Sequence, residues 1–231
     1  MSHPRTLGNE TNPGLLSQAM GDIAADTGLP IDLTTELPAD LARDLSARIL
    51  EAALRCVARW GMAKTTVDDI AREAGCSRAT IYRAFPGGKQ SVIHATGERE
   101  LRRFLDDLSA EVAAVDSLRE MLTVALVAGV TAIRTHDALQ YLIEHEPGPV
   151  LALVSFDRLE PLLTLGTEFG APELERFLAP EAAREAAEWV VRTIIGHGLE
   201  ADCHDLTDPV VADRFVATFM LPGLAPDLIA A

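Results

Sequence analysis

The chain has 231 residues, 48% of them hydrophobic, 24% charged and 5% aromatic, and a formal net charge of −15 at neutral pH. This composition is globular, which excludes pervasive disorder, and the length suits one large domain or a small one joined to a larger one. Cys56, Cys76 and Cys203 are too scattered for a disulfide framework or a zinc site, and neither a long uncharged apolar run nor a signal-peptide pattern occurs, so a cytoplasmic protein with reduced thiols and no membrane partner is expected.

Apolar residues recur at spacings of three and four, and period-two runs of Val, Ile and Thr are scarce, so the expected fold class is all-α. Residues 1–38 read as an acidic extension punctuated by Gly and Pro, in which "GLLSQAMGDIAAD" has the pattern of a short amphipathic helix. A helix follows from Ala39 to Trp60, with Leu45, Ile49, Ala52, Ala53, Cys56 and Val57 on one face and arginines between them, and Gly61 ends it. Thr66 is placed to cap a second helix, Val67 to Ala74, with Asp68 and Asp69 opposing the positive end of its dipole in a capping-box pattern. Gly75 stops that helix, Ser77 caps a third from Arg78 to Phe85, and Pro86 with two glycines closes it. Two short helices joined by a tight turn containing Gly make a helix-turn-helix, so residues 39–88 read as a DNA-binding domain.

Charge supports that reading. Residues 1–42 carry net −5 and residues 104–231 net −15, whereas residues 43–103 carry net +5. A compact basic segment in an acidic chain is the footprint of a phosphate-backbone binder. With Ile70, Ala71 and Ile81 in the joint core, Arg78, Ala79, Thr80, Tyr82 and Arg83 are left for the outer face of the third helix. Arg can contact guanine bidentately, an Ala methyl can meet a thymine methyl, and Thr and Tyr hydroxyls can donate to phosphates.

The stretch "TTVDDIAREAGCSRATIYRAF" resembles the DNA-binding segment of the tetracycline-repressor (TetR) family of bacterial transcriptional regulators, closely over residues 48–92. The resemblance implies a homodimer with two helix-turn-helix heads on a helical ligand-binding and dimerisation domain, and a double-stranded operator as partner. Position by position it implies phosphate contacts for Thr66, Thr80 and Tyr82, base or adjacent backbone contacts for Arg78, Ala79 and Arg83, and a phosphate contact for Lys89. Ala84 departs from the family's usual His or Tyr, and "FPGGK" is one residue longer than the usual junction.

Residues 89–231 read as the ligand-binding and dimerisation domain. A long helix from Lys89 leads into the body, and Leu118 to Ile133 is apolar nearly all round, as a buried helix and pocket wall would be. The chain breaks at Pro147, Gly148 and Pro149, and Pro161 reads as a further kink or break. "PEAAREAAEWVVRTIIGHGL" and "DPVVADRFVATFML" read as a pair that forms a four-helix bundle across a two-fold, the alanines allowing close approach. Thr123, Tyr141, His145, Trp189, Arg192 and Thr193 are the candidate pocket residues, as polar or aromatic groups in apolar runs. They point to a lipophilic effector of fatty acyl or aromatic type. The competing reading is a helical small-molecule binder or enzyme whose helix-turn-helix is only structural. No catalytic loop, metal motif or cofactor fingerprint occurs, so no catalytic residue, metal or cofactor is expected.

Overall fold

A computed structural model describes residues 39–153, 159–200 and 204–224, and within them every regular element is helical. The N-terminal extension and Cys203 lie outside the described residues. Helix α1, Ala39–Lys64, packs its apolar stripe against α2, Val67–Ala74, and α3, Arg78–Ala84. Ile49, Ala52, Ala53, Cys56, Ile70, Ala71, Ile81 and Phe85 form the resulting core. The helix ends follow from local chemistry. Thr66 Oγ1 accepts from the Asp69 N–H at 3.2 Å, and Asp69 Oδ2 accepts from the Thr66 N–H at 3.1 Å, which completes a reciprocal capping box. Gly75 adopts φ 65°, the left-handed conformation that a helix C-terminus followed by a tight turn requires.

The expected boundaries are met within a residue or two, with one informative exception. Gly61 (φ 80°, ψ 172°) breaks α1 as expected, but the chain then makes a further helical turn to Lys64. Thr65 anchors that turn, being fully buried with its hydroxyl donating to Gly61 O at 2.6 Å.

Helix α4, Lys89–Ala113, leaves the head and runs along the body, where α5 (Leu118–Thr135), α6 (Asp137–His145), α7 (Pro147–Leu153), α8 (Leu159–Leu174) and α9 (Pro180–Leu199) follow. The last segment is α10 (Pro209–Phe215), a π-helical turn (Val216–Met220) and the short α11 (Leu221–Leu224). Pro161 lies within α8, which runs on through it to Leu174 without the expected break. In the body core, Leu122, Leu126, Val130, Ala183, Ala186, Leu206 and Val216 are buried.

Small residues set how closely these helices approach. A Cβ at Gly129 would collide with Ile194, one at Gly166 with Val191, and one at Gly170 would lie 3.4 Å from the Ala187 methyl. The alanines of α9 expected at a two-fold interface are therefore used largely within the chain: Ala183, Ala186 and Ala187 are buried against α5 and α8. What α9 leaves outside is Trp189, which is 62% exposed.

Candidate DNA interface and effector cavity

Of the residues expected on the DNA side, Arg78, Ala79, Thr80, Tyr82 and Arg83 lie on α3, Thr66 caps α2 and Lys89 begins α4. Arg78, Ala79, Tyr82 and Arg83 are exposed on α3, with Thr80 half-buried beside them, while Ile81 between them is fully buried and fixes the helix's rotation. Arg78 Nε lies 2.9 Å from Asp68 Oδ1 across the turn, so its guanidinium is already held at the joint between the two helices. Thr80 Oγ1 lies 2.8 Å from Ser77 Oγ within the cap of α3. The Tyr82 ring lies against Gly88: a Cβ there would sit 2.8 Å from Tyr82 Cε1, and Gly88 has φ 62°. The extra glycine of the "FPGGK" junction thus supplies both a left-handed turn and a flat surface for the tyrosine ring.

Two of the expected contacts are committed elsewhere in this structure. The Thr66 hydroxyl donates to Asp69 Oδ2 at 2.6 Å while accepting the Asp69 N–H, so it reaches a phosphate only by turning away from Asp69. Lys89 Nζ donates to Ala63 O at 3.3 Å, folding back on the end of α1. The Thr66 hydroxyl and the adjacent Arg72 guanidinium hold the Asp69 carboxyl below the usual carboxylate range, hydrogen bonding from Thr66 being the larger cause.

The body contains a cavity of about 530 Å³, within the range of small-molecule sites. Its walls come from both domains: Leu54, Val57 and Met62 of α1 meet Leu139 and Leu142 of α6, and Phe104, Leu122, Phe169 and Val190 line the deeper part. The cavity therefore borders both the head and the body. No Lys or Arg occurs among the described lining residues.

None of Thr123, Tyr141, His145, Trp189, Arg192 and Thr193 lines this cavity, which corrects the sequence expectation. The reason is local satisfaction on outward faces. Thr123 Oγ1 donates to Arg119 O and Thr193 Oγ1 to Trp189 O, both at 2.8 Å and both one helical turn back. Arg192 pairs with Glu188 at 2.7 Å on the same helix, with both side chains 46% exposed. Tyr141 stacks on His145 with centroids 4.4 Å apart, and its ring faces Gly61 at the head–body junction, not the cavity.

Sequence reasoning passed over the polar residues that do line the cavity, among them Glu100 and His136. Glu100 carried a readable signal: it interrupts an apolar stripe on α4 in which Thr96, Leu101, Phe104, Leu105 and Leu108 recur at helical spacing toward the cavity. It also passed over Glu146, whose carboxylate accepts the Ala63 N–H at 3.0 and 3.3 Å and joins body to head. Among the described residues no group of His, Cys, Asp and Glu is arranged to hold a metal ion, and no single helix is long and apolar enough to cross a membrane.

Comparison with known proteins agrees with the head's geometry. The family model for bacterial regulatory proteins of the tetR family matches residues 49–96. An HTH-type transcriptional regulator of Mycobacterium tuberculosis is 27% identical over 195 residues, covering 83% of this chain and 89% of that protein. The HTH-type regulator BetI of Brucella anthropi is 33% identical over 84 residues, which is 36% of this chain and 43% of BetI. Among solved structures, the TetR family repressor AlkX from Dietzia superposes with a TM-score of 0.56 at 19% identity, covering 77% of this chain and 97% of AlkX. FadR from Bacillus subtilis, in complex with stearoyl-CoA, gives 0.51 at 15% identity over 74% of this chain and 97% of FadR. At these identities the two structures speak to the fold alone.

Proposed function

The chain belongs to the tetR family of bacterial regulatory proteins, and on that premise we propose that it is a cytoplasmic, ligand-responsive repressor that binds a palindromic operator as a homodimer and leaves it when a lipophilic effector fills the body. The observation that carries the reading is the cavity's shared wall. Side chains of α1, in the DNA-binding head, line the same space as α4, α5, α8 and α9. A ligand that widens this space moves α1 relative to the body and so changes the distance between two α3 helices in a dimer. Two recognition helices must match half-sites about one helical turn of DNA apart, so a small change in their spacing abolishes simultaneous docking.

In the operator complex, Arg78, Ala79 and Arg83 face bases or the adjacent backbone, and Tyr82 and Thr80 meet phosphates. Thr66 and Lys89 join them once released from Asp69 and Ala63. Trp189 on α9, Val210 on α10 and Phe219 in the π-helical turn are large apolar side chains left 62, 76 and 61% exposed, which supports a partner subunit packing over this end of the chain. The acidic body repels phosphate while the heads attract it, so unselective coating of DNA is disfavoured. A lipophilic effector suits walls made almost entirely of Leu, Val, Ile, Phe, Ala and Gly.

Sedimentation of the purified protein tests the assembly. A species of twice the 24.8 kDa chain mass is expected, and Trp189→Glu should shift it to the chain mass while leaving the helical circular dichroism intact. A wild-type monomer that binds operator tightly would overturn the dimeric reading.

A further inference from the structure

The chemistry of the cavity wall narrows the effector further. Its polar side chains among the described residues are Thr96, Glu100, His136 and Glu173. Thr96 Oγ1 is engaged, donating to Val92 O at 2.8 Å, while Glu173 Oε2 lies 3.7 Å from the Arg176 guanidinium, which donates to Val112 O and Val115 O. Glu100 and His136 are the two that face each other, and they form a donor–acceptor pair with a gap. His136 caps α6 and its Nδ1 accepts the Leu139 N–H at 3.2 Å. That bond occupies the Nδ1 lone pair, so the ring proton of the neutral imidazole sits on Nε2. Nε2 faces Glu100 Oε2 at 3.9 Å, beyond hydrogen-bond reach. The other Glu100 oxygen lies 4.0 Å from Arg99 Nε, and the Arg99 guanidinium donates instead to Ala47 O at 2.8 Å.

We propose that the effector is an uncharged lipophile with a hydroxyl head, its chain in the apolar cavity and its hydroxyl bridging His136 Nε2–H and Glu100. This rests on the reading above that the cavity takes a lipophilic effector. A hydroxyl is the head group complementary to both wall residues. A hydroxyl donates to the carboxylate and accepts from the imidazole N–H, so it satisfies both groups at once. A carboxylate head would use only the imidazole and would face the Glu100 charge, which Arg99 offsets only from 4.0 Å and from outside the cavity lining. A quaternary ammonium head would use only Glu100 and would leave the imidazole N–H pointing at a cation. Specificity in such a site comes chiefly from the head that leaves a polar wall group unpaired or repelled.

The test is displacement of the neutral lipophilic dye Nile red from the full chain by n-decanol, n-decanoate and decyltrimethylammonium, at about pH 8 so that the acid is fully ionised. Nile red fluorescence itself reports whether the cavity takes a lipophile. Any apolar wall disfavours an ion, so two variants carry the test. In the wild type, n-decanol should displace the dye at roughly tenfold lower concentration than either charged probe. Glu100→Gln removes the charge at nearly constant shape and should bring n-decanoate to within about threefold of n-decanol. His136→Asn keeps an N-cap acceptor for α6 but loses the Nε2 donor, and should weaken n-decanol alone by roughly tenfold. An alcohol-to-acid ratio unchanged by Glu100→Gln, or n-decanoate ahead in the wild type, overturns the assignment of the head group and leaves the lipophilic cavity standing. Absence of Nile red binding together with no effect of any probe on the protein's thermal unfolding overturns the cavity reading itself.

Discussion

The Glu146 carboxylate accepts the backbone N–H of Ala63, its two oxygens 3.0 and 3.3 Å away, so the residue between α6 and α7 is tied to the final turn of α1. The same turn meets the Tyr141 ring at Gly61, where a Cβ would lie 2.7 Å from Tyr141 Cε1. Body and head are thus joined at a site that overlaps the cavity wall at Met62, Leu139 and Leu142.

Breaking this junction should loosen the head without unfolding it. Glu146→Ala removes a charged acceptor from a surface-accessible bond and is expected to cost about 1 kcal/mol of stability. Hydrogen exchange at the Ala63 amide should accelerate, while exchange in the α2 and α3 amides stays protected. Equal acceleration throughout the head would mean that Glu146 supports the whole domain.

Gly61→Ala should be the more damaging change. Its φ of 80° is unfavourable for any residue with a Cβ, and the added methyl meets both Tyr141 and Glu146. The expected loss is roughly 1–3 kcal/mol in chemical denaturation. A neutral effect would show that the turn at Gly61 relaxes freely.

At the DNA face, Arg78→Ala should cost roughly 1–3 kcal/mol on the operator and relax selectivity at one base pair. Tyr82→Phe should weaken binding about equally on all sequences, since a phosphate contact carries no base information directly. Both are read by fluorescence anisotropy on operator and scrambled duplexes. Asp68→Asn frees Arg78 from its 2.9 Å ion pair and removes an anion beside the DNA, so it should strengthen binding. Weaker binding by Asp68→Asn would mean that the pair with Asp68 is what aims the guanidinium.

The capping box makes α2 acid-sensitive. The Asp69 carboxyl is depressed below its ordinary value by the Thr66 hydroxyl, and a depressed carboxyl contributes stability that is present above its unfolded pKa and lost as pH falls through the folded one. Head stability should therefore decline below about pH 4, and Asp69→Asn should flatten that part of the profile followed by circular dichroism melts. The two described thiols should be inert at neutral pH, because burial raises both Cys56 and Cys76 above the usual thiol range. Rapid reaction of Cys56 with a thiol reagent in the native protein would contradict the packing around Ile49 and Ile70.

What could be read from the sequence was what is decided locally. Thr66, Gly75 and Ser77 set the ends of α2 and α3 through bonds that span three or four residues, so their chemistry predicts those boundaries from the letters alone. The rotation of α3 was also legible, because buried Ile81 leaves few choices for its neighbours. The cavity was not legible, since α1, α4, α5, α6, α8 and α9 all contribute to it and no single stretch encodes their meeting. Polar residues in apolar runs proved a misleading guide: Thr123, Arg192 and Thr193 are satisfied by their own helices on outward faces. His136 escaped notice because it resembles an ordinary surface polar residue until α4 and the start of α6 are brought side by side, whereas Glu100 could have been found from the apolar stripe it interrupts.

The measurement that bears most directly on the whole account is selection from random duplex DNA by the purified protein at about physiological salt, alongside an Arg78→Ala/Tyr82→Ala double variant. Enrichment of an inverted repeat by the wild type, lost in the variant, is the expected result. It would establish a dimeric, sequence-specific regulator that reads DNA with α3. Failure to enrich any sequence, after denaturation and refolding have freed the protein of bound lipophile, would contradict the account and leave the helix-turn-helix as a structural element of a ligand-binding protein.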